Sequence, residues 1–100
     1  MVSKYNNKRT NGYASRREAK CATELKLMEK AGHITALQEQ VSFEIIPKCG
    51  KERAAKYIAD FVWMENGKIV VADAKGARTR EYVLKRKLMN WRFNIQIVEM

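Results

Sequence analysis

The sequence is poor in the side chains that carry much of enzyme chemistry. Its 100 residues hold one histidine, His33, and two cysteines, Cys21 and Cys49. A lone histidine after Ala31-Gly32, at the end of a helical segment, reads as a capping or surface residue rather than a catalytic base. The cysteines are widely spaced, and neither has a Cys or His at zinc-ligand distance. Reduced thiols are expected, not a disulfide or a zinc site. No apolar run is long enough to cross a bilayer, and the N-terminal segment is polar and basic, unlike a secretory signal. A cytosolic protein is expected. With no internal repeat and no linker, a chain that is 46% apolar reads as one domain with one modest core.

Acidic residues are also scarce, 11 against 20 Lys and Arg, which leaves a net charge of +9. The excess is uneven: residues 1–20 carry +5 and residues 75–92 carry +6, whereas residues 21–74 carry −1. Two basic segments around a near-neutral middle suit a nucleic-acid backbone. Solubility or contact with an acidic membrane would ask for the same charge.

What the sequence does have is centred on residues 57–76. Two apolar runs, Tyr57–Met64 and Ile69–Ala74, flank Asn66-Gly67, the strongest short signal for a two-residue hairpin. That turn places Met64 opposite Ile69, Val62 opposite Val71 and Asp60 opposite Asp73, with Lys75 on the face of Asp73. Both runs are apolar on both faces, as in the buried centre of a sheet. Two carboxylates facing each other there repel and are costly to bury unless something neutralises them. A divalent cation would do so, since Mg²⁺ takes one or two carboxylates and keeps water and phosphate oxygens as its other ligands. A plain Asp60–Lys75 salt bridge, with Asp73 at a frayed strand end, is the simpler reading.

The rest of the chain supplies a frame. Residues 1–12 are rich in Asn and basic residues and lack periodicity, which predicts a flexible arm. Tyr5 and Tyr13 could stack on bases. Ser15 followed by Glu18 forms a capping box that opens a helix running to Gly32. Cys21, Ala22, Leu25 and Met28 share one stripe of it, and Glu18 lies on the same stripe. Capping alone would account for Glu18. Arg16, Arg17 and Lys20 sit on the first turns as phosphate contacts or as a solvated basic face. Residues 40–46 alternate, with Val41, Phe43 and Ile45 on one side, and read as a half-buried strand ending at Pro47. Thr79 caps a second helix running to about Asn90 that buries Val83, Leu84 and Leu88 and displays Lys85, Arg86 and Lys87. Asn94–Glu99 reads as a last strand, giving an α/β (α+β) order of α-β-β-β-α-β.

A helix carrying Glu, a strand carrying Asp and a strand ending (D/E)-x-K, in that order, resembles the PD-(D/E)xK nuclease superfamily. Asp73-Ala74-Lys75 is the last of these elements. Residues 13–99 also resemble a family of small bacteriophage proteins within that superfamily. The matching stretches include Ser15-Arg16-Arg17-Glu18-Ala19, Tyr57-Ile58-Ala59-Asp60-Phe61, Val71-Ala72-Asp73-Ala74-Lys75-Gly76 and Tyr82-Val83-Leu84-Lys85-Arg86-Lys87-Leu88. Ala59 stands where the nominal motif has proline, and Asp73 where it often has Glu. The resemblance implies a restriction-endonuclease-like core with a mixed sheet between helices. It implies Mg²⁺ or Mn²⁺ held by Asp60, Asp73, the Ala74 carbonyl and Glu18, with Lys75 orienting the attacking water and stabilising charge in the transition state. Arg78, Arg80, Lys85 and Lys87, with Arg16, Arg17 and Lys20, would meet DNA. The phage setting implies branched DNA such as Holliday junctions, cleaved by a homodimer in the host cytoplasm. A nucleic-acid-binding module without catalysis, or an adaptor of a phage replication complex, is the alternative.

Overall fold

The computed structural model describes residues 12–74 and 78–100. Its elements follow the order α1 (Arg16–Lys30), β1 (Thr35–Ile46), β2 (Ala55–Glu65), β3 (Lys68–Asp73), α2 (Arg80–Phe93) and β4 (Val98–Glu99). The four strands form one sheet in the order β1-β2-β3-β4. The first three are antiparallel neighbours and β4 runs parallel to β3, so the sheet is mixed and the class is α+β. No helix among the described residues is long and apolar enough to cross a membrane. The expected arm over residues 1–12 lies, but for Gly12, outside the described residues, as do Tyr5, Lys75, Gly76 and Ala77.

The hairpin forms as its turn chemistry predicts. Asn66 and Gly67 have φ of 53° and 76°, the positive values a two-residue turn of this type requires. Pairs run in register from Glu65↔Lys68 through Met64↔Ile69 and Val62↔Val71 to Phe61↔Ala72. Ser15 and Thr79 cap their helices, their hydroxyls accepting the backbone N–H groups of Glu18 and Tyr82 at 3.1 Å.

The sheet separates two cores. Cys21, Ala22 and Leu25 of α1 pack on Phe61, Trp63 and Ala72, while Tyr82 and Met89 of α2 pack on Val62 and Val71. Adjacent strand residues point to opposite faces, so the helices cover opposite sides. Burying an aromatic such as Phe61 contributes about 2–3 kcal/mol.

Strict alternation would keep Tyr57, Ala59, Phe61 and Trp63 on one face. Instead Tyr57 and Ala59 belong to the α2 core and Phe61 and Trp63 to the α1 core. β1 does the same: Leu37 packs toward α1, and Val41 and Phe43 pack toward α2. The pairs Glu39↔Phe61 and Val41↔Ala59 both hold, so the two strands change face together, at Gln40 and Asp60. Gln40 takes φ 54°, a left-handed conformation that costs a residue with a Cβ roughly 1–2 kcal/mol. The double-sided apolar pattern of residues 57–64 thus combines a change of face at Asp60 with burial on both faces over Phe61, Val62 and Trp63.

Three expectations need correction. β1 begins at Thr35 rather than 40. Of residues 94–99 only Val98 and Glu99 are in a strand, because α2 continues to Phe93 and is closed by Asn94 at φ 55°. And α2 buries Tyr82 and Met89, not Leu84, which is 58% exposed, while Val83 and Leu88 are half-buried. The inward side of α2 is set by Tyr82, whose hydroxyl donates to Glu99 at 2.7 Å and so ties the helix to β4.

Candidate functional site

The site lies where the hairpin ladder stops. Beyond Phe61↔Ala72, Asp60 and Asp73 meet through side chains. The Asp60 N–H donates to Asp73 Oδ1 at 2.9 Å, and the Ala74 N–H donates to Asp60 Oδ2 at 3.0 Å. The Tyr57 hydroxyl donates to Asp73 Oδ2. Tyr57 and Asp73 can meet because Tyr57 lies on the α2 side of the sheet, as does Val71 one alternation before Asp73. Asp73 is fully buried, a position a carboxylate tolerates only when hydrogen-bonded.

Glu18 reaches the same place from α1. The stripe that buries Ala22 and Leu25 also buries Glu18, which is 8% exposed. Its carboxylate turns to Gln40, whose Nε2 donates to Glu18 Oε2 at 3.1 Å and to Asp60 Oδ1 at 3.3 Å. One amide thus bridges acids from α1 and β2. Burial pushes the Glu18 carboxyl above its usual range, and the charges of Asp60, Glu39 and Asp73 push the same way. The Gln40 bond opposes them.

A divalent cation would relieve that repulsion, and an all-oxygen donor set suits Mg²⁺ or Mn²⁺ rather than zinc. Donor chemistry therefore fits. Among the described residues, however, no three Asp, Glu, His or Cys side chains are gathered as a metal-holding group. The Gln40 amide stands between two of the acids. Lys75 lies outside the described residues.

The basic residues divide. Arg17 Nε donates to the Met100 carbonyl at 2.8 Å, so it fastens α1 to the residue that follows β4. Arg78 and Arg86 both hold Glu99, the latter at 3.1 Å. Hydrogen bonding from Tyr82 and Arg78 keeps the Glu99 carboxyl below its usual range, while burial and the Glu99 bond push the Tyr82 phenol up. Lys85 pairs with Glu81 at 3.0 Å and, with Lys56, lines a cleft of about 300 Å³ beside Tyr57. Arg16, Lys20, Arg80 and Lys87 are exposed.

Sequence reasoning missed Gln40 and Tyr57. Gln40 faces Asp60 across β1 and β2, which only the strand register reveals, and Tyr57 is brought to Asp73 by the change of face. Neither carries a local signal. The family profile described as "Protein of unknown function (DUF1064)" matches residues 2–98. The chain belongs to that family. No curated protein and no solved structure matches it. In this DUF1064 chain, then, the site is defined by its own geometry: Glu18, Gln40, Asp60, Asp73 and Tyr57, joined in one hydrogen-bonded series.

Proposed function

We propose that the chain is a metal-dependent endonuclease that hydrolyses DNA phosphodiester bonds with a PD-(D/E)xK-type site. The observation that carries the reading is the hydrogen-bonded series that links Glu18, Asp60 and Asp73, acids from three elements, through Gln40 and the Asp60 N–H, with Glu18 and Asp73 buried and the Glu18 carboxyl raised by burial and then by the neighbouring acids. Asp60, Asp73 and the Ala74 carbonyl would hold Mg²⁺ or Mn²⁺, with Glu18 completing the set. A bound divalent cation lowers the pKa of water and polarises a phosphoryl oxygen. The chain's own residues prepare for that. The Tyr57 hydroxyl and the Asp60 N–H fix both oxygens of Asp73, and the Ala74 N–H fixes one of Asp60. Lys75 Nζ would orient the attacking water and stabilise negative charge on the phosphorus oxygens. Branched DNA, cut by two such sites in a homodimer, is the finer form of the proposal and follows from the phage resemblance.

A second reading has an observation of its own. Each oxygen of Asp60 and Asp73 already accepts a hydrogen bond from the protein. Acids so satisfied can be structural, in a nucleic-acid-binding module without catalysis. Cleavage separates the two. Labelled four-way junction, flap and plain duplex are incubated with Mg²⁺ or Mn²⁺, beside an EDTA control and Asp73→Asn, which keeps the shape and the acceptor for Asp60. Metal-dependent cutting that Asp73→Asn abolishes is the expected result. Paired symmetric cuts confined to the junction would define a resolvase. Tight binding with no metal-dependent cutting on any substrate would overturn the nuclease and leave the binding module.

A further inference from the structure

The outward side of α2 does not look like a solvated helix face. Leu84 is 58% exposed and Trp91 79% exposed. With Arg80 and Lys87 they fall at i, i+4, i+7 and i+11, one stripe about 16 Å long at the helical rise. Cation, aliphatic, cation and indole alternate along it. The stripe has no acid, since Glu81, the acidic residue of α2, lies to one side and is paired with Lys85. Among the described residues neither Arg80 nor Lys87 has an ion-pair partner. At its N-terminal end Arg78, Arg80, Leu84 and Lys87 help to line a groove of about 270 Å³.

Charge decides what can lie here. A second copy docked through this face about a two-fold axis would gather four cations, Arg80 and Lys87 of each copy, with no acid on the stripe to answer them. Duplex DNA would engage the cations through phosphates but offer the indole no ring face, because its bases are stacked on one another. An unpaired strand offers both, phosphates for the cations and open base faces for the indole. We propose that the outward face of α2 binds unpaired DNA, with Trp91 stacking on a base and Arg80 and Lys87 holding phosphates. This rests on the DNA reading above and gives its substrate class: DNA with a single-stranded or splayed segment, led from that groove along α2.

Fluorescence tests it directly, because Trp63, the other tryptophan, is 6% exposed and packed in the α1 core. In EDTA the full chain is titrated with oligo-dT and with plain duplex, as wild type and as Trp91→Leu. Oligo-dT is expected to quench the wild-type emission, and Trp91→Leu to bind it about 10-fold or more weakly while its duplex affinity stays within about twofold. Lys87→Gln should lower the salt slope for oligo-dT by about 0.7. Equal oligo-dT affinity in wild type and Trp91→Leu overturns the proposal. So does quenching that follows protein concentration instead of DNA, with a dimer in sedimentation. Because EDTA removes cleavage from the readout, the two proposals fail separately: cutting with an indifferent Trp91 sinks only this one, and Trp91-dependent binding without cutting sinks only the nuclease.

Discussion

The two ends of the β2–β3 hairpin are built by opposite rules. At the turn, Asn66 and Gly67 take the dihedral angles their side chains permit, and the facing residues pair in register. At the open end the ladder stops before Asp60 and Asp73, and side chains take over its hydrogen bonds. The turn end needs only neighbouring residues. The open end needs Glu18 from α1, Gln40 from β1 and a change of face in two strands. Local chemistry makes the first end robust; the second is held by contacts between distant segments and has charge to spare.

The largest effect that would sharpen this contrast is at Asp73. Removing its carboxylate strands the Tyr57 hydroxyl and the Asp60 N–H in a buried place, at about 1–3 kcal/mol each. Asp73→Ala is therefore expected to lose about 2–6 kcal/mol in urea unfolding, whereas Asp73→Asn loses much less. Equal stability of the two variants would mean that the open end is not held by these bonds. At the turn, Gly67→Val forces a branched residue to φ 76°, and about 1–2 kcal/mol should be lost. On the proposed nuclease reading, DNA affinity and cleavage should not change, since no site residue moves. A turn variant that altered either would erase the distinction between the ends.

The smallest effect concerns Glu18 and depends on pH. Its carboxyl is raised above 4.5 in the fold, chiefly by burial and then by Asp60 and Glu39. The folded protein thus favours the protonated form. That contribution is complete below pH 4.5 and is lost as pH rises through the raised folded value. Glu18→Gln stays neutral throughout. In EDTA its melting temperature should match wild type in acid and exceed it at pH 7–8. Identical profiles across that range would mean that neither burial nor the other acids raise the Glu18 carboxyl.

Much of this was legible in the sequence because it rests on short-range rules. The hairpin register followed from Asn66-Gly67, the caps from Ser15 and Thr79, and the inward placement of Glu18 from its spacing to Ala22 and Leu25. The element order followed from those boundaries. What could not be read depended on long-range pairing. The apolar run 57–64 read as a strand buried on both faces, which holds over Phe61, Val62 and Trp63, but alternation cannot register the change of side at Asp60. Leu84 looked buried since an aliphatic residue beside Val83 and Leu88 outweighs any hint that Tyr82 would anchor α2 through Glu99. Gln40 is an ordinary polar residue until its partner across the sheet is known.

The change of face has a consequence for how substitutions combine. Tyr57 and Ala59 serve one core, Phe61 and Trp63 the other, so the middle strand is a partition and not a conduit. Changes at Ala59 and Phe61 share no packing partners although the two residues are close neighbours in sequence, and their costs should simply add. The crossing point is Gln40 and Asp60. Repacking on either side is therefore felt by the other mainly through Gln40, the amide that bridges Glu18 and Asp60, which makes the site the hinge of epistasis in this chain.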